Sequence, residues 1–80
     1  MSNHSQSVEI VLHVDDALEE KQRNDLASSL SANDGVYNAR FTPNRDHLMV
    51  VKYNRVKYKA IDILRKLTSN SVRAELIGPV

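Results

Sequence analysis

The chain has 80 residues, 41% of them hydrophobic and 26% charged, with 11 Lys and Arg against 10 Asp and Glu. That length holds one small core and no second domain, and that composition belongs to a chain that folds. The near-balance of charge singles out no polyanionic partner, and the absence of cysteine excludes a disulfide scaffold, thiol catalysis and a thiolate metal site.

Residues 1–7, Met1-Ser2-Asn3-His4-Ser5-Gln6-Ser7, read as a polar disordered tail without the apolar core of a secretion signal. No apolar run approaches the ~20 residues that cross a bilayer, so membrane insertion is not expected and a cytoplasmic location is. A single domain is expected over residues 8–78. Val8, Ile10, Leu12 and Val14 alternate with Glu9, Val11 and His13, the pattern of a strand with one buried face. Asp16 and Glu19 have capping-box spacing at the start of a helix that carries Leu18, Leu26, Ala27 and Leu30. Its apolar stripe is broken by Lys21 and Gln22. It is expected to stop at Asn33-Asp34-Gly35, with glycine supplying a left-handed conformation.

Val36–Phe41 reads as a second strand with Ala39 and Phe41 inward. Thr42-Pro43-Asn44-Arg45-Asp46 reads as a turn, followed by a third strand from His47 to Tyr53. Met49, Val51 and Tyr53 share one face of that strand; Leu48, Val50 and Lys52 share the other. Ala60, Ile63, Leu64 and Leu67 give the i, i+3, i+4, i+7 stripe of a core-facing helix over about Lys57 to Thr68, with Asn70 as its C-cap. Val72, Ala74 and Leu76 alternate with Arg73, Glu75 and Ile77 in a last strand. Only Tyr37, Phe41, Tyr53 and Tyr58 are aromatic, so the core is expected to be aliphatic.

The order strand, helix, strand, strand, helix, strand is that of an α+β, ferredoxin-like βαββαβ sandwich. Right-handed crossovers place both helices on one face of a four-stranded antiparallel sheet. The first and third strands are then central, with the fourth beside the first and the second beside the third.

Four features give the chain a family likeness. They are the Asp34-Gly35-Val36 step, the Met49-x-Val51-x-Tyr53-Asn54 strand end, the Ile- and Leu-bearing second helix, and the closing Val72-x-Ala74-x-Leu76-Ile77 strand. In these the chain resembles the heavy-metal-associated domains of soluble copper chaperones and metal-pumping ATPases, over nearly all of residues 8–78. The resemblance implies a metal-transport scaffold. That family holds Cu(I) with a loop methionine followed by two cysteines spaced two residues apart. Counted back from Gly35, the cysteine positions fall near Glu19 and Gln22, neither a sulfur ligand, and Met49 in its strand does not replace the loop methionine. The resemblance therefore implies a metal site lost or replaced, in a degenerate member lacking the cysteine motif.

His13, Asp15, Asp16 and Glu19 bring imidazole and oxygen donors to the first loop, a set that could hold a divalent cation weakly. Capping and the helix dipole account for Asp16 and Glu19 without a metal. His4 and His47 form no recognisable ligand spacing with His13. Lys52, Arg55, Lys57, Lys59, Arg65 and Lys66 make the second helix basic, but the sheet lacks the stacking aromatics of RNA-binding domains, which argues against a nucleic-acid partner. No nucleophile elbow or phosphate-binding glycine loop is present, so neither an enzyme nor a cofactor is expected. Val11, Leu48, Val50 and Ile77 point to the helix-free face of the sheet, where polar residues belong. They predict an apolar interaction patch for a protein partner or a second copy of the chain. The sequence thus reads as a non-enzymatic interaction module, with weak metal binding or sensing through His13 and nearby carboxylates, or nucleic-acid binding through the basic helix, as alternatives.

Overall fold

The computed structural model describes residues 6–79, with the side chain of Pro79 left aside. It contains β1 (Ser7–Val14), α1 (Glu20–Ser31), β2 (Val36–Thr42), β3 (Arg45–Asn54), α2 (Ala60–Thr68) and β4 (Ala74–Pro79). The four strands form one antiparallel sheet in the order β2-β3-β1-β4. This is the expected ferredoxin-like arrangement. The expected tail, with His4, lies outside the described residues up to residue 5. Ser7 already belongs to β1, and the Gln6 carbonyl accepts a hydrogen bond from the Arg55 N–H at 2.8 Å.

Alternation sets the core. Ile10, Leu12 and Val14 of β1 and Met49, Val51 and Tyr53 of β3 meet Leu26 and Leu30 of α1 and Ile63 and Leu67 of α2 in one buried cluster. Burying a side chain of this size contributes about 1.5–3 kcal/mol, so the two central strands and four helical residues carry the fold. The helices scarcely touch each other and are held through the sheet side of the core.

Several boundaries differ from expectation. The N-cap of α1 is Glu19, whose N–H donates to Gln22 Oε1 at 2.8 Å. Asp16 does not cap the helix, because Arg73 occupies its carboxylate. The helix is already closed at Ala32, and Gly35, with φ +93°, makes the turn into β2 instead. The β2–β3 turn is shorter than expected: Thr42 pairs with Arg45, leaving Pro43 and Asn44 as the loop. Proline presets the first corner and Asn44 takes the positive φ of 62° at the second. α2 begins at Ala60, where the Lys59 N–H is capped by Asp62 Oδ2 at 2.8 Å. Its C-cap is Ser69, although Asn70 Nδ2 does donate to the Lys66 carbonyl at 3.0 Å. Among the described residues, no helix is long and apolar enough to cross a membrane.

Candidate metal centre

The end of β1 and the entry to β4 are fastened together by the two aspartates that follow β1. The Asp15 N–H donates to the Arg73 carbonyl at 2.7 Å. The Arg73 N–H donates to Asp16 Oδ2 at 2.9 Å, and the Arg73 guanidinium donates to Asp16 Oδ1 at 3.0 Å. The backbone hydrogen bond from Arg73, then the side-chain one, holds the Asp16 carboxyl below the usual carboxylate range. Two residues beyond Arg73, Glu75 pairs in register with His13.

This fastening gathers three donors. His13 Nδ1–H donates to Asp15 Oδ1 at 2.8 Å. His13, Asp15 and Glu75 each offer one ligand atom, and the three atoms lie within 4.8 Å of one another, on a half-buried histidine and two exposed carboxylates. His47 lies outside that 4.8 Å group but beside it. The His47 ring stacks on the His13 ring, with centroids 5.7 Å apart and planes 13° from parallel. His47 Nδ1–H donates to the Val14 carbonyl at 2.7 Å. A carbonyl only accepts, so Nδ1 carries a proton, and in the neutral ring Nε2 is the nitrogen with the lone pair.

Of the four residues that the sequence offered as metal donors, His13 and Asp15 come together and the other two do not. Asp16 is consumed by Arg73, and Glu19 stands at the start of α1. Glu75 is not among those four; the antiparallel β1–β4 register brings it to His13. His47 lies next to Leu48, the residue paired with His13. Strict alternation would put His47 on the opposite face from Leu48. The bond to the Val14 carbonyl at the end of the β1–β3 ladder draws the ring to His13 instead.

The expected apolar patch is interrupted. Val50 is outside the core cluster, yet it is only 7% exposed. Its cross-strand neighbours are Val11 and Arg40, and Arg40 of β2 reaches across β3 to Glu9 of β1, 4.0 Å away. The long aliphatic stem of arginine covers apolar surface well while its charged head remains wet. Val11 and Leu48 are half-buried. Ile77, 58% exposed, is the residue left out where the β1–β4 register shifts between Gly78 and Leu76.

The basic stretch is also partly engaged. Lys57 pairs with Asp34, and Lys66 donates to Asn33 Oδ1 at 3.2 Å while lying 5.0 Å over the Tyr58 ring.

No family profile matches the sequence, and no curated protein matches it either. Solved structures do match in shape. The yeast copper transporter domain CCC2A is 18% identical, with 91% of this chain and 99% of that one covered and a TM-score of 0.78. The N-terminal domain of a potential copper-translocating P-type ATPase from Bacillus subtilis, solved in its Cu(I)-loaded state, is 16% identical over 92% and 91%, with a TM-score of 0.79. The CsoZ metallochaperone is 13% identical over 89% and 97%, with a TM-score of 0.71. At these identities the likeness is one of fold, the ferredoxin-like βαββαβ sandwich that the sequence leads one to expect. Cu(I) does not fit the donors of this chain: it favours soft sulfur ligands, and imidazole and carboxylates stand here instead.

Proposed function

We propose that this chain is a non-enzymatic binding module that holds a divalent cation with imidazole and carboxylate donors. The supporting observation is the convergence of His13, Asp15 and Glu75 within 4.8 Å, at the end of the sheet where β1 runs into its loop. Ligands on one tetrahedral ion stand about 3.3 Å apart for metal–donor distances near 2.0–2.1 Å, so the three groups need to close by no more than about 1.5 Å. Asp15 and Glu75 are exposed, and closing up requires Asp15 to give up its hydrogen bond from His13. Two carboxylates also balance the charge of a divalent ion. Titration calorimetry of the full chain with Zn(II), Cu(II), Ni(II) and Co(II) tests the reading. Binding tighter than about millimolar (~4 kcal/mol), weakened at least about tenfold by His13→Ala, is expected. Absence of heat with all four ions ends it.

A second reading keeps the interaction surface in another place. Ile77 and Leu76 are exposed on β4, whose outer edge has no strand beside it among the described residues. An unpaired strand edge is a template for pairing, and a second copy of the chain would meet it isologously. On this reading a homodimer forms that Ile77→Lys splits, as measured by light scattering after gel filtration. A monomer at every concentration up to millimolar removes it.

A further inference from the structure

Resting on the metal reading above, we infer that His47 is a second imidazole ligand, so that the site takes a borderline divalent ion of the Zn(II), Co(II) or Cu(II) class in a shell of two nitrogens and two oxygens. The oxygens come from Asp15 and Glu75, the nitrogens from His13 and His47.

Three observations support His47. First, its Nδ1–H is already given to the Val14 carbonyl. Metal-bound histidines characteristically give their other ring N–H to a carbonyl or a carboxylate, which fixes the tautomer and aims the ligating nitrogen. His47 has that hydrogen bond before any metal arrives, although its ring still has to turn toward the site. Second, the ring centres of His13 and His47 are 5.7 Å apart. Two imidazoles bound to one ion through nitrogens about 2.0–2.1 Å from it have ring centres about 5–6 Å apart. The spacing is therefore met, and binding needs the nearly parallel rings to turn about their own side-chain bonds. Third, His13 is half-buried and His47 is exposed, so the rings have room to turn.

The donor set decides the class of ion. Imidazole suits Zn(II), Cu(II) and Ni(II), whereas Ca(II) and Mg(II) favour shells built from oxygens. Two imidazoles among four donors thus select against the abundant hard cations with no thiolate involved.

The test is made on the full-length protein labelled with 15N, with ZnCl2 as the only added ligand. Imidazole nitrogen–proton spectra are recorded before and after one equivalent. His47 Nε2 and one nitrogen of His13 are expected to move together to metal-bound positions, and 10 mM CaCl2 or MgCl2 is expected to move neither. His47→Gln is expected to weaken Zn(II) at least about tenfold, about 1.4 kcal/mol, with the backbone amide spectrum otherwise unchanged. If Zn(II) moves His13 while His47 stays and His47→Gln binds as tightly, the His47 assignment is overturned and the metal reading stands. If neither ring moves, the His47 assignment falls, and the metal reading falls with it once calorimetry shows no heat with any of the four ions. The wild-type spectra decide the matter even if the variant folds poorly.

Discussion

Ile61 and Ile63 are two residues apart on α2, and truncating them should have very different costs. Ile63 is fully buried against the sheet, whereas Ile61 is 41% exposed. Because α1 and α2 scarcely touch, α2 is attached to the rest of the domain mainly by buried Ile63 and Leu67, with Ala60 and Leu64 packed beside them. Removing one buried methylene with Ile63→Val should cost about 1 kcal/mol, and Ile63→Ala about 3 kcal/mol within a general range of about 2–5. Ile61→Ala should cost less than about 0.5 kcal/mol. An unfolding entropy of about 2.1 cal/mol/K per residue gives about 0.17 kcal/mol/K for a chain of this length. The Tm shifts are then about 6 °C, about 18 °C and under about 3 °C. Domains of this size have a total stability of about 4–12 kcal/mol, so Ile63→Ala should remain folded at 25 °C with a visibly lowered urea midpoint. Circular dichroism melts and urea titrations with a constant m-value measure all three. Equal losses from Ile61→Ala and Ile63→Ala would refute the assignment of the buried face of α2.

Other outcomes follow from the turns and the surface. Gly35→Ala should destabilise by about 1–2 kcal/mol, since Gly35 has φ +93° and an added Cβ would stand 2.8 Å from Lys57 Cδ and 3.0 Å from Tyr58 Cε2; chemical denaturation reads it. Arg40→Ala should change stability by no more than about 1 kcal/mol, yet expose the Val50 methyls to a soluble paramagnetic agent, seen as faster relaxation of those signals. The hydrogen bond from Lys57 lowers the Asp34 pKa below 3.8, and the same bond raises the Lys57 pKa above 10.5. The carboxylate part of this stabilisation is present above the unfolded pKa and lost as pH falls through the lowered one. The ammonium part is present below 10.5 and lost as pH rises through the raised one. Asp34→Asn should flatten both ends of the stability–pH curve slightly, the effect being small because both groups are exposed; an unchanged curve would mean that the pair contributes nothing.

The fold is legible in local patterns along the chain. Alternation in residues 8–14 and 49–53, the helical stripe from Ala60 to Leu67 and the turn residues around Gly35 and Pro43 are local signals. Local signals add up to an order of elements that few topologies accommodate. The same logic made the missing cysteines decisive against a thiolate site. The caps were less legible, because Asp16 and Glu19 both have the chemistry of a cap. Only Arg73, far along the chain, removes Asp16 from the helix. The site was half legible: His13 and Asp15 are sequence neighbours, while Glu75 and His47 reach them through the registers of two separate strand pairs. The open face shows the same limit. Alternation alone would leave Val50 open, yet it is only 7% exposed, on a strand that the Arg40–Glu9 pair spans from the strands on either side. Periodicity along one strand fixes which way a side chain leaves the backbone. What it meets there depends on three strands at once, and no single strand's pattern carries that.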